Sequence, residues 1–148
     1  MFRGSSFHTI DPKGRVIIPA RFRDVIKVGN SNGIIVTRLD HALFAYTFDE
    51  WNKIEARVMS LTDTNEHMRR FRRIFIGGAS DCTCDKQGRI LIPPVLRQYA
   101  EIKKDIVLVG QINHFEIWAK ERYEQEVLQM EEDIKKEEVN NEIAKLGL

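Results

Sequence analysis

Cysteine is scarce in this 148-residue chain, which carries only Cys82 and Cys84. A disulfide framework is therefore excluded as the basis of the fold, and a reducing, cytoplasmic setting is expected. Long apolar runs are missing too. None approaches the roughly 20 residues that span a bilayer, and the opening MFRGSSFHTID has no apolar leader segment. Catalytic signatures are equally absent: there is no phosphate-binding Gly-rich loop, nucleophile elbow or paired-histidine zinc helix. The carboxylates fall at turns and on polar helix faces, so no general acid–base pair is indicated. No enzyme activity, catalytic residue, metal ligand, cofactor, small-molecule substrate or membrane partner is expected. What remains is a globular chain with 43% hydrophobic and 30% charged residues, long enough for one domain or two very small ones sharing a core.

Charge is unevenly placed. The net charge is +1, but residues 1–75 carry 13 basic and 8 acidic side chains, a net of +5. Residues 76–118 balance at 5 and 5, and residues 119–148 carry 5 basic and 9 acidic, a net of −4. A basic front suits a polyanion partner, while the acidic tail points elsewhere or is a solvated helix.

The chain repeats itself. Residues 4–23 and 78–97 match at an offset of 74, with identities at Gly4/Gly78, Ser6/Ser80, Thr9/Thr83, Asp11/Asp85, Gly14/Gly88, Arg15/Arg89, Ile18/Ile92, Pro19/Pro93 and Arg23/Arg97. Ordinary composition gives about one or two chance identities over such a stretch, so the halves are duplicates. The match continues loosely, Gly33–Thr37 against Asp105–Val109 and Leu43–Tyr46 against His114–Ile117.

In the first unit, residues 5–10 and 15–18 read as short strands around Asp11-Pro12-Lys13-Gly14. Its Asp, Pro and Gly suit the first, second and fourth positions of a type I turn, and Asp85-Lys86-Gln87-Gly88 repeats the design. Pro19 and Pro93 close the second strands, with a helical turn expected through Ala20–Ile26 and Val95–Tyr99. After a loop at 29–33, residues 34–38 and 43–47 form a hairpin about Asp40-His41. Thr47 and Glu50 make a capping box for a helix with Trp51, Ile54, Val58 and Leu61 on one face. Asp63 and Glu66 cap a second helix carrying Met68, Phe71 and Phe75, ended by Gly77. A long charged helix is expected over 119–145, with a stripe of Tyr123, Val127, Met130 and Ile134.

The division is then 5–47, a first unit; 48–76, linking helices; 77–120, a second unit; and 121–148, an acidic C-terminal helix. Units of about 45 residues cannot each build a core. The halves are expected to clasp about a pseudo-twofold axis, their strands interleaved into one small barrel, in an α+β fold with flanking helices and a long C-terminal helix.

Three groups of residues are candidates for chemistry. Asp11 and Arg15, like Asp85 and Arg89, flank a turn and face each other across a hairpin. The pair is either a cross-strand ion pair worth about 0–1 kcal/mol or a carboxylate bracing a guanidinium for phosphate or the O6/N7 edge of guanine. The Arg69-Arg70-Phe71-Arg72-Arg73 run reads as a solvated helix face that pairs with acidic residues, with phosphate contact as the other reading. Cys82 and Cys84 share one strand face, with His8 at the repeat position of Cys82, and lack both zinc-ligand spacing and a nucleophile motif. They read as structural thiols. Trp51 and Trp118, each near the end of its unit's fourth strand, read as core.

The opening Met1-Phe2-Arg3-Gly4, the two Asp-x-x-Gly-Arg hairpins, Arg73–Ser80, Gly88–Arg97 and Leu108–Trp118 closely resemble the MraZ family. The resemblance spans residues 1–120 in length and order. It implies two AbrB-like swapped-hairpin units in one chain. It also implies a bacterial transcriptional regulator, cytoplasmic and nucleoid-associated, that assembles into homo-oligomeric rings. Such a regulator binds direct repeats of double-stranded DNA upstream of the division and cell-wall gene cluster, its own gene included. The family's Asp-x-x-x-Arg contact motif falls on Asp11–Arg15 and Asp85–Arg89. The expected DNA-contact set is Arg15, Lys13, Arg89, Lys86 and Arg3, with Asp11, Gly14, Asp85 and Gly88 shaping and bracing the turns. Two further functional readings are weighed: an AbrB-fold antitoxin whose tail wraps a toxin, and an enzyme using Cys82 or Cys84.

Overall fold

The two Asp-x-x-Gly turns carry the chain out of one sheet and into another. The computed structural model describes residues 1–28, 32–61 and 65–148. The first unit runs β1 (Ser5–Thr9), β2 (Arg15–Ile17), α1 (Ala20–Lys27), β3 (Gly33–Leu39) and β4 (Ala42–Thr47), followed by α2 (Phe48–Met59) and α3 (Glu66–Phe75). The second runs β5 (Ser80–Thr83), β6 (Arg89–Leu91), α4 (Pro94–Tyr99), β7 (Asp105–Gly110) and β8 (Phe115–Ala119), followed by α5 (Lys120–Asp133) and α6 (Glu137–Ala144).

Six strands form an antiparallel sheet in the order β1-β7-β8-β4-β3-β5, and β2 and β6 form a separate two-stranded ribbon. Exchanging the units reverses the six-strand order onto itself. Val16 faces Ile90, and Phe44 faces Glu116, so a pseudo-twofold axis passes through both pairs. The interleaving is complete: β1 pairs with β7 and β5 with β3, each across units.

The expected barrel is not what forms. The sheet is open, with β1 and β5 as its edges, because the turns after those strands divert the chain into the ribbon. Neither turn closes a paired hairpin either, since β2 takes its ladder partner from the other unit. The Phe44–Glu116 pairing also sets an offset of 72, so Leu43 corresponds to Phe115 rather than His114. A one-residue slip would turn every side chain to the opposite face.

Alternate strand residues serve two cores. On one face Ile34, Val36, Leu43, Ala45, Ile106, Leu108, Phe115 and Ile117 pack against the ribbon and the helices α1 and α4. Phe2 joins them, its ring 5.2 Å from Phe22 and 5.1 Å from Phe115. Its backbone pairs with Ile112 beside Gly110, where a Cβ would meet Arg3 N and Phe2 C at 2.5 and 2.6 Å. On the opposite face Ile35, Phe44 and Tyr46 lie under Trp51 of α2 and Phe75 of α3, and Val107 and Trp118 lie beneath Tyr123 of α5. The buried Thr37 hydroxyl donates to Phe75 O, tying α3 to the sheet.

Local signals set most boundaries. Asp40 and His41 both have positive φ, 52° and 68°, the conformation of a two-residue hairpin turn. Thr47 caps α2 by accepting from Glu50 N, but Glu50 pairs with Lys53, so the capping box is half formed. Asn65 caps α3, accepting from His67 N and Met68 N. Asp63 and the loop at 29–31 lie outside the described residues. Trp51 sits in the first turn of α2 and is buried with Val58, as the stripe predicts, whereas Leu61 lies beyond that helix and is exposed. The long C-terminal helix expected over 119–145 is two helices, α5 and α6, broken between Asp133 and Glu137. Neither buries a residue fully, so past Tyr123 no core contact holds them in line. Among the described residues, no helix is long and apolar enough to cross a membrane.

Candidate nucleic-acid interface

Each turn is built by its own aspartate. Asp11 Oδ1 accepts from Lys13 N at 3.0 Å and Arg15 N at 2.8 Å, and its Oδ2 accepts from Arg15 Nε at 2.6 Å. Asp85 repeats the set with Gln87 N, Arg89 N and Arg89 Nε, all at 2.9 Å. Gly14 N and Gly88 N close the loops onto Asp11 O and Asp85 O. Both glycines have positive φ, 90° and 78°, where a side chain is strained. The backbone N–H of Arg15 holds the Asp11 carboxyl below its ordinary range, and that of Arg89 does the same for Asp85. The Asp–Arg contact is thus local to the turn, not the cross-strand pair expected of a hairpin. It engages Nε, whereas a bidentate fork to a base or phosphate edge uses the two terminal nitrogens.

The ribbon brings the two turns together. Val16 and Ile90 point into the core at 0% and 1% exposure, so Arg15, Ile17, Arg89 and Leu91 point outward. Arg15 stands opposite Leu91, and Ile17 stands opposite Arg89. The outer face is therefore a diagonal pair of arginines, about 8 Å apart along and across the strands, alternating with aliphatic side chains exposed by 52% and 56%. Lys13 and Lys86 lie exposed at the turn tips, at opposite ends of the antiparallel ribbon. A two-stranded ribbon is narrow enough to enter the major groove. Guanidinium forks there match guanine, and aliphatic groups match the thymine methyl.

Arg3 is placed elsewhere, at the far end of β1 from the Asp11 turn, where its carbonyl accepts from Arg21 Nε. The arginines of α3 lie on the opposite sheet face from the ribbon; Arg70 pairs with Glu66 at 3.2 Å. Cys82 is buried, and its thiol, pushed up to about 11 by burial and then by Asp81, donates to Leu91 O. Cys84, also pushed up by burial, occupies the repeat position of the core residue Ile10. Both are free. Among the described residues, no group of three His, Cys, Asp or Glu stands where a metal could be held. Two features of the interface were not drawn from the sequence. Ile17 and Leu91 sit inside continuous apolar runs that hide their outward direction. Arg23 and Arg97, though among the nine repeated identities, show no role without the tertiary structure.

The family model described as "MraZ protein, putative antitoxin-like" matches residues 1–74 and again 75–142, which is the duplication that the strand order displays. The chain belongs to the MraZ family. It is 58% identical over 148 residues to the "Transcriptional regulator MraZ" of Desulforapulum autotrophicum and 51% identical over 148 residues to that of Desulfosudis oleivorans, covering all of both chains in each case. It is 43% identical over 141 residues to that of Shewanella violacea, covering 93% of this chain and 92% of the relative. The identity to the first two includes the tail, so α5 and α6 lie within the length shared with these MraZ relatives.

Proposed function

We propose that the chain is a transcriptional regulator that binds double-stranded DNA sequence-specifically through the β2–β6 ribbon. The observation that carries this reading is the pseudo-twofold ribbon face itself, with Arg15 and Arg89 each braced by a carboxylate beside an exposed aliphatic residue. A lone surface ion pair gives no reason for a solvent-facing Ile17 and Leu91. Arg15 and Arg89 read base edges, Lys13 and Lys86 contact phosphates flanking them, and Arg3 adds charge at the end of β1. The regulator names of the relatives support the function class. The antitoxin alternative is not favoured by those names.

Its targets are spaced direct repeats upstream of the division and cell-wall cluster that holds its own gene, and it acts as a homo-oligomer, a ring, on the nucleoid. Two arginines at about 1–3 kcal/mol each fall short of the upper part of the roughly 4–10 kcal/mol that separates specific from non-specific binding. Several subunits on spaced repeats supply the rest through effective concentration. The exposed stripe of Val127 and Met130 on α5 and Ile134 just past its end is available for subunit contact. Footprinting on the DNA upstream of this gene tests the reading: regularly spaced protected boxes are expected, and uniform or absent protection would contradict it.

A further inference from the structure

We propose that each reading turn is held in shape by an arginine of the other unit: Arg97 positions the Asp11–Arg15 turn, and Arg23 positions the Asp85–Arg89 turn. This rests on the ribbon being the DNA reader. Arg23 and Arg97 are repeat mates on α1 and α4, four residues after Pro19 and Pro93. Each guanidinium folds back onto its own chain: Arg23 Nη1 donates to Ile18 O at 2.7 Å, and Arg97 Nε donates to Ile92 O at 3.0 Å. Those same isoleucines tie the units together, since Ile18 N donates to Gly88 O and Ile92 N to Gly14 O, both at 2.9 Å.

The arginines consequently lie against the glycines of the opposite turns. A Cβ on Gly14 would sit 2.8 Å from Arg97 Cζ and 2.9 Å from its Nε. A Cβ on Gly88 would run into Arg23 Nη1 and lie 2.9 Å from Cζ. The positive φ calls for glycine at each turn, and a Cβ there would in addition push the packed guanidinium aside. Gly14 and Gly88 immediately precede Arg15 and Arg89, so movement of either glycine swings the reading fork. A flat guanidinium fills this space in a way that a lysine ammonium cannot. Arg23 and Arg97 are therefore positioning residues. They also link the two turns, since each arginine joins its own strand end to the other unit's loop.

The test uses the full chain with Arg97→Lys and Arg23→Lys, which keep the charge and remove the flat contact. In amide NMR spectra of the free protein, Arg97→Lys should shift Gly14 and Arg15 more than Gly88 and Arg89, and Arg23→Lys should do the reverse. Shifts confined to each variant's own unit, or equal at both turns, would overturn the proposal. Binding to labelled upstream DNA then supplies double-mutant cycles. Arg97→Lys should depart from additivity with Arg15→Ala by at least about threefold, and stay within about twofold of additive with Arg89→Ala. The opposite pattern, or equal coupling to both as a general loss of structure would give, would overturn it. A salt slope lowered by about one unit in Arg97→Gln would mark a phosphate contact instead and also overturn it. Circular dichroism melts control for folding, and if Arg97→Lys does not fold, the Arg23→Lys arm carries the same test with the turns exchanged. If Arg15→Ala and Arg89→Ala both leave DNA binding intact, the ribbon reading fails and takes the functional half of this proposal with it. The amide shifts still report on the cross-unit contact by itself.

Discussion

An aspartate that accepts three hydrogen bonds from the turn it begins resists protonation, and the chain uses this device twice. Asp11 and Asp85 both sit below the ordinary carboxylate value of 3.8, chiefly through the backbone N–H of Arg15 and of Arg89. A group whose folded pKa is depressed contributes stability that is present above its unfolded value and lost as pH falls through the folded one. Stability should therefore decline on acidification below pH 3.8, and the paired Asp11→Asn and Asp85→Asn variant should show a shallower decline. Denaturant unfolding at pH values on either side of 3.8 checks this; equal slopes would contradict it. The Asp, Gly and Arg positions of these turns were legible in the sequence because their mutual bonds lie within five residues; the cross-unit contacts at Gly14 and Gly88 were not, since they come from Arg97 and Arg23. Phe2 was not, because its burial against Phe22 and Phe115 depends on contacts 20 and more residues away. Nothing in a terminal Met-Phe-Arg-Gly announces a core position.

Helices and strands were readable where a cap or a period was enough, as with Thr47 before α2 and the Asp40-His41 turn between β3 and β4. They were misread where the outcome depends on what an element meets. The stripe Tyr123, Val127, Met130, Ile134 has helical spacing throughout, yet Tyr123 packs on Trp118 while the other three are exposed. Beyond it the chain breaks into α5 and α6, and α6 buries no residue. Deleting residues 135–148 should then change the unfolding free energy by no more than about 0.5 kcal/mol, as for surface changes that touch no core. Thermal and denaturant melts of the truncated chain measure this. A loss of several kcal/mol would show that α6 packs on the body of the protein. The ribbon faces were hidden for the related reason that Val16-Ile17-Ile18 and Ile90-Leu91-Ile92 are apolar at every position. Only the burial of Val16 and Ile90 within the β2–β6 ribbon shows that Ile17 and Leu91 face out.

At the scale of the molecule, duplication and small unit size sufficed to foresee two halves clasped about an axis, and the palindromic order β1-β7-β8-β4-β3-β5 shows that clasp. Closure into a barrel was not foreseeable, since it depends on where the chain goes after each turn, and here it goes to a separate ribbon. One ribbon per chain offers few base contacts, so the protein should behave as a homo-oligomer. Multi-angle light scattering should give a mass several times 17.2 kDa, and a monomer both with and without DNA would contradict that. The central claim is that the ribbon reads sequence, and Arg15 tests it most directly. Labelled upstream DNA is titrated with the wild-type chain, Arg15→Ala and Lys13→Ala at two salt concentrations, with melts confirming folding. Arg15→Ala should cost about 1–3 kcal/mol per engaged subunit and flatten the preference among operator variants. Lys13→Ala should weaken all sequences alike and lower the salt slope by about one unit per lost phosphate contact. Arg89→Ala should cost less than Arg15→Ala, because its turn has Lys86 where the first has Pro12. Unchanged affinity and unchanged preference in a folded Arg15→Ala protein would contradict the account.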